Sequence, residues 1–125
     1  MRNLRSISDA ESIVMRVFWD RGSLTAEQVF AALEDGVQWQ ESTIKTLLSR
    51  LMKKGALRAR KDNRRYVYHP VLTRDEWLAH ESHGFLERLF EGRIAPFVSY
   101  FSRHKKLTKR DLEELKRLVK DLEND

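Results

Sequence analysis

The sequence predicts a mostly α-helical chain interrupted by one small β-hairpin. Apolar residues recur at helical spacing in six stretches, whereas alternation with period two is confined to two short runs within residues 56–69. Four helix-start signals, Ser8–Glu11, Thr25–Gln28, Thr73–Glu76 and Thr108–Asp111, space these stretches along the chain. The cationic excess is also local. Ser42–Arg65 holds nine Lys and Arg against the single acid Asp62.

Ser8 caps a first helix that turns Ala10, Ile13, Val14, Val17 and Phe18 inward and stops near Arg21-Gly22, with Trp19 beside this face as core. Ser23-Leu-Thr25 reads as a short extended link able to pair at a sheet edge. Thr25 then caps a short second helix with Val29, Phe30 and Leu33 inward, ended by Glu34-Asp-Gly36.

In the third helix Ile44, Leu47, Leu48, Leu51 and Met52 form one apolar stripe, and Gly55 ends it. The opposite face carries Ser42, Thr46, Ser49 and Lys53, flanked by Lys45 and Arg50, with no carboxylate after Glu41. Hydroxyls and cations of this kind bond phosphates and base edges in a DNA major groove. An amphipathic helix with a merely solvated basic face shows the same pattern.

The runs Ala56–Lys61 and Arg65–His69 flank a polar turn at Asp62-Asn-Arg64 and predict the hairpin. Tyr66 and Tyr68 share one of its faces, as wing packing, and Val67 takes the other. Three helices followed by a basic-tipped hairpin is the order of a winged helix-turn-helix domain, here 1–70. Lys61, Asn63 and Arg64 at the tip would meet phosphates or the minor groove.

Pro70 closes the hairpin, and Thr73 opens a long helix with Trp77, Leu78, Phe85, Leu86, Leu89 and Phe90 that ends near Gly92. Pro96 suits the first turn of a shorter helix holding Phe97, Val98, Tyr100 and Phe101. After a basic break at Arg103–Lys106, Leu112, Leu115, Leu118, Val119 and Leu122 share one side of a last helix. Residues 71–125 are too few to close a core alone. They predict a helical dimerisation domain in which Phe85, Leu89, Phe97, Phe101 and the five apolar residues of the last helix meet a second copy. Packing of these helices against the first ones within one chain is the other solution.

Composition narrows the classes. The chain has 125 residues, 34% of them charged, enough for one compact domain with an appendage. Residues 1–70 carry 13 Lys and Arg against 8 Asp and Glu, while 71–125 balance at 11 each. The polyanion-binding surface therefore belongs to the first part. No run approaches the roughly 20 apolar residues of a membrane span, and Met1–Ser6 lacks the apolar core of a signal peptide. A cytoplasmic protein is expected. Without cysteine there is neither a disulfide nor a thiolate metal site.

No Gly-rich phosphate loop, His-Glu-x-x-His run or Ser-His-Asp set is present, so an enzyme is not expected, nor a cofactor. Ser82 and His83 are neighbours on a helix and point apart. His80 and His83 are weak metal candidates that would need further ligands, from His104 or a second chain. A winged-helix module for RNA or protein binding is the remaining rival class. RNA readout calls for exposed stacking aromatics, for which only Tyr66 and Tyr68 qualify.

The chain from Ile7 onward resembles the penicillinase-repressor type winged-helix proteins, the BlaI/MecI/CopY group. The resemblance rests on Ile7-Ser-x-Ala-Glu11 with Val14-Met15 and Trp19, on Trp39-x-x-x-Thr43-Ile-Lys-Thr-Leu47, and on Ser49-Arg-Leu-x-Lys-Lys-Gly55. Arg60-Lys-Asp62 and Leu107-Thr-x-x-Asp111-Leu-Glu-Glu-Leu115 extend it. It implies a dimeric transcriptional repressor on a dyad-symmetric operator with TACA/TGTA half-sites, in keeping with control of a resistance or stress-response operon such as beta-lactamase. Thr43, Lys45 and Thr46 match the family's base- and phosphate-contacting positions, with Ser42 and Arg50 beside them.

Three departures accompany the resemblance. Gln40 stands where the family usually has a Ser or Thr cap. The bond that a sensor-linked protease cuts in antibiotic-responsive members aligns with Tyr100-Phe101, where the family's Asn is replaced by Tyr100. The C-terminal Cys-x-Cys motifs of copper-responsive members are absent, which leaves a metal-responsive repressor only with non-cysteine ligands.

Overall fold

A computed structural model describes residues 7–104 and 107–125. The helices are α1 (Asp9–Arg21), α2 (Ala26–Leu33), α3 (Glu41–Lys53), α4 (Arg74–Phe90), α5 (Ile94–His104) and α6 (Lys109–Glu123). The strands are β1 (Leu24–Thr25), β2 (Leu57–Asp62) and β3 (Arg65–Pro70). The chain forms two compact units that divide between His80 and Glu81. That division falls inside α4, ten residues beyond the end of the predicted winged domain. Leu72 is fully buried and Trp77 packs on the first core, so the residues just after the hairpin belong with the wing.

All four predicted capping boxes form. Ser8 and Glu11, Thr25 and Gln28, and Thr108 and Asp111 exchange side-chain and backbone bonds reciprocally. Thr73 and Glu76 do the same at 3.0 and 3.1 Å. Each box satisfies two amides that the first turn of a helix leaves without partners.

The first core joins α1, α2 and α3 over the sheet, around Val14, Met15, Phe18, Val29, Ile44, Leu48 and Leu51. Its α1 face differs from the sequence reading. The buried row is Glu11, Val14, Met15 and Phe18, with Ser12 and Val17 beside it, while Ala10 and Ile13 are half-buried. The row has helical spacing i, i+3, i+4, i+7, but its first member is a carboxylate, which counts as polar in any tally of apolar residues.

That carboxylate is 1% exposed. Glu11 Oε1 accepts the Ser8 amide at 2.7 Å and the Lys54 ammonium at 2.5 Å. Burial opposes ionisation of Glu11 and is the largest single influence. The bonds from Lys54 and Ser8, with the Lys54 charge, together outweigh it and hold the pKa below its ordinary 4.5.

The sheet has order β1-β3-β2, antiparallel throughout. Leu24 pairs with Tyr68 and Thr25 with Val67, so the link at 23–25 does join a sheet edge. Asp62 pairs with Arg65, which shortens the hairpin turn to Asn63-Arg64, with Asn63 at φ +60°. An asparagine tolerates this left-handed conformation better than most residues. Trp19 Nε1 donates to the Leu72 carbonyl at 2.8 Å, and its ring lies 5.4 Å from that of Trp77.

In the second unit the end of α4 and α5 share an aromatic cluster. Phe97 meets Phe85 edge-on at 5.4 Å and lies 5.4 Å from Phe90 and 5.5 Å from Phe101. Arg103 and His104 belong to α5, so the predicted basic break does not begin before Lys105, and Lys105-Lys106 lies outside the described residues. No described helix is long and apolar enough to cross a membrane.

Replacing Glu11 takes from the Lys54 ammonium the buried carboxylate it bonds. Glu11→Gln is expected to lower stability at pH 7 by about 2–4 kcal/mol, the range for breaking a buried pair from one side, discounted for a partly exposed lysine. With the folded pKa depressed, the contribution is complete above the ordinary value of 4.5 and fades as pH falls through the folded value. Urea unfolding at pH 7 and at pH 3 checks this: the deficit of the variant shrinks in acid.

Candidate nucleic-acid interface

Four residues decide which way α3 faces. Ile44, Leu48 and Leu51 are fully buried and Leu47 is 5% exposed. Met52 is 40% exposed, so the stripe ends one residue earlier than its spacing predicts. It lies at the last turn of α3, where the helix leaves the core. With the stripe dry, Ser42, Thr43, Lys45, Thr46, Ser49, Arg50 and Lys53 are all exposed. The seven side chains singled out from sequence thus line the outward side of one helix.

The two ends of α3 are held unequally. Gln40 makes no side-chain capping bond, as its departure from the Ser/Thr pattern implied. At the other end Gly55, at φ +78°, donates to the Met52 carbonyl at 3.0 Å and Ala56 to Leu51 at 2.9 Å. This paired closure needs a left-handed residue at position 55, which glycine supplies without strain.

The Thr46 hydroxyl donates back to the Ser42 carbonyl at 3.0 Å. Its hydrogen is thereby used within the helix, and its methyl remains for apolar contact.

Lys61, Asn63 and Arg64 are exposed at the hairpin tip. Lys61 pairs across the strands with Tyr66. Lys45 of α3, Arg64, Arg65, Tyr66 and Tyr68 of the wing and Ala26 and Glu27 of α2 line one cleft of about 300 Å³. α3 and the wing therefore line one cleft, in which three cations stand with the carboxylate of Glu27. The tyrosines split in role. Tyr68 packs on the core, and burial first, then the charges of Glu27 and Tyr66, pushes its phenol above the ordinary 10.0, which keeps its proton. Tyr66 is 55% exposed, so it is not wing packing but part of the outward surface. Period-two alternation put the two rings on one face, and nothing in that pattern says where the core beneath the hairpin ends.

Not every cation of the basic run faces outward. Lys54 is turned to Glu11, an engagement that sequence reading missed because a lysine between Lys53 and Gly55 looks solvated. His83 Nε2 lies 3.9 Å from a Glu87 oxygen on the same helix, and among the described residues no group of three His, Cys, Asp or Glu side chains is placed to hold a metal. The Tyr100-Phe101 bond lies inside α5, with Tyr100 stacked on His104 at 4.2 Å.

Three helices over a small sheet, with an exposed hydroxyl-rich cationic third helix beside a basic wing, define a winged-helix protein of the DNA-binding class. The model of the penicillinase repressor family matches residues 7–121, and the chain belongs to that family, one of DNA-binding transcriptional repressors and not of enzymes. It is 34% identical over 124 residues to the penicillinase repressor of Bacillus licheniformis, covering 99% of this chain and 97% of that protein.

Among solved structures, the DNA-binding domain of the repressor BlaI is 39% identical and covers 61% of this chain and 93% of that one, at a TM-score of 0.55. The monomeric form of Bacillus licheniformis BlaI, in complex with the blaP half-operator, is likewise 39% identical with the same coverage, at a TM-score of 0.52.

The two tyrosines provide a check. Tyr68→Ala is expected to cost about 2 kcal/mol or more of stability by emptying a packed site, whereas Tyr66→Ala should change it by under about 0.5 kcal/mol. Paired urea titrations measure both.

Proposed function

We propose that this chain represses transcription by binding, as a homodimer, a dyad-symmetric DNA operator of the TACA/TGTA type, and so controls a resistance or stress-response operon such as one for a beta-lactamase. The carrying observation is the outward side of α3, where seven hydroxyl and cationic side chains are exposed beside a basic wing. The half-operator complex of the BlaI relative supports duplex DNA as the partner.

On this reading Lys45 donates to guanine O6 or N7, and the Thr46 methyl meets a thymine methyl. Ser42 and Thr43 lie beside them, near the bases. Ser49, Arg50 and Lys53, further along the groove, and Lys61, Asn63 and Arg64 at the wing hold the sugar-phosphate backbone.

One helix of this length reads few base pairs. Two copies related by a twofold axis read two half-sites and double the counterion release. The second unit supports such pairing. In the single chain Leu112, Leu118, Val119 and Leu122 of α6 are 44–71% exposed and Leu89 is 61% exposed. Phe97, Phe101, Leu107, Leu115 and Leu118 line an apolar groove between α5 and α6. A row of large apolar side chains left in water favours association. Phe85 and Phe97 contribute by holding the cluster beneath that face. Release by a sensor-linked protease would cut Tyr100-Phe101, and the helical setting of that bond requires α5 to unwind first.

In a mobility-shift titration at moderate salt, a TACA/TGTA dyad is expected to outcompete random duplex and single strands; equal affinity would sink specific repression. Lys45→Ala should weaken operator binding by about 1–3 kcal/mol and narrow the gap to random DNA. Placing Asp at both Leu115 and Leu118 should give monomers in sedimentation that lose tight operator binding. A dimer that survives this change would overturn the interface assignment.

A further inference from the structure

The basic run of α3 ends in Lys53-Lys54, two cations with different surroundings. Lys53 is exposed, whereas Lys54 carries its ammonium to Glu11 at 2.5 Å, 43 positions away in sequence. The acceptor oxygen is held in advance. Glu11 Oε1 also takes the Ser8 amide at 2.7 Å, and the Ser8 hydroxyl accepts the Glu11 amide at 3.1 Å, so the carboxylate is oriented by the cap of its own helix. On the other side Lys54 terminates α3, its amide bonded to the Arg50 carbonyl at 3.1 Å. A charge-assisted bond therefore ties the N-terminus of α1 to the C-terminus of α3.

We infer that Glu11 and Lys54 are positioning residues for DNA readout, fixing the rotation and depth of the recognition helix, and that Lys54 is not one of the phosphate contacts its place in the basic run suggests. The inference deepens the operator-binding reading and rests on it. The geometry gives the reason. Side-chain tips of a helix lie roughly 6 Å from its axis, so a turn of about 20° moves them by about 2 Å, more than a base-edge hydrogen bond tolerates. The apolar stripe restrains such a turn weakly in angle, because methyl groups slide over one another. A bond to a buried, pre-oriented oxygen restrains it directionally. A phosphate on the outward side would have to compete for the Lys54 ammonium with a carboxylate that is 1% exposed.

Lysine acetylation footprinting of the wild-type chain, read by mass spectrometry with and without operator duplex, tests this directly. Lys54 is expected to react slowly in the free protein and at the same rate, within about twofold, on DNA. Lys45 and Lys53 should react fast when free and be slowed at least about fivefold by the duplex. A Lys54 that reacts as fast as Lys53 in the free protein, or gains protection only with DNA, overturns the inference. If Lys45 and Lys53 stay unprotected while Lys54 is slow throughout, operator binding through α3 is what fails.

Variants add a second readout. Lys54→Met should lower the ratio of operator to random-duplex affinity about tenfold, and leave the salt slope of binding unchanged. Lys53→Met should reduce that slope by about one per protomer and spare the ratio. Lys54→Arg, which keeps the bond to Glu11, should restore the ratio. A Lys54→Met protein with a reduced slope and an intact ratio would make Lys54 a phosphate contact after all. Should that variant fail to fold, the footprint of the wild-type chain alone decides.

Discussion

Burial of one side of α3 is the constraint from which the remaining features follow. Ile44, Leu47, Leu48 and Leu51 are removed from water together, and a helix with four adjacent stripe positions dry can turn only its other side to solvent. The polar side then has to face outward, whatever its own chemistry prefers. Helices α1 and α2 supply the surface that the stripe lies on, through Val14, Met15, Phe18 and Val29. The capping boxes of both helices settle where each one starts. The sheet closes the remaining side and carries Arg64, Arg65 and Tyr66 to the cleft beside Lys45. The outward chemistry of α3 is thus set by side chains that are themselves buried.

Much of this was legible in the sequence, for identifiable reasons. Capping boxes are local devices whose partners lie three residues apart, so Ser8, Thr25, Thr73 and Thr108 announced their helices without tertiary knowledge. The α3 stripe was legible because all of its members are apolar. The outward residues followed by subtraction, since whatever is not stripe on an amphipathic helix faces solvent.

What stayed hidden depends on contacts between distant segments. Glu11 has the spacing of a core residue and the chemistry of a surface one, and the arrival of Lys54, added to the bond from the Ser8 amide, makes its burial tolerable. The same ignorance of partners placed Ala10 and Ile13 at the centre of the α1 face instead of Met15. Tyr66 and Tyr68 are indistinguishable by alternation, and their roles separate only once one ring packs on the core and the other is left exposed. The division inside α4 was hidden likewise, because Leu72 and Trp77 look like part of the following helix until the core they enter is known.

The unequal fastening of α3 has a mechanical consequence. Its far end is clamped by Gly55, Ala56 and Lys54, and its near end, at Gln40-Glu41, carries no side-chain cap. A rod fixed in this way yields most at the free end. Opening the first turn sacrifices only the amides of Thr43 and Ile44 on the Gln40 carbonyl and no side-chain cap, whereas loosening the last turn also breaks the bonds of Lys54, Gly55 and Ala56 and the tie to Glu11. The leading turn, with Ser42 and Thr43, is therefore the compliant part of the outward side of α3, and on the proposed function it is the part that can adjust to a neighbouring base pair. The residues beyond Leu47 keep a fixed address.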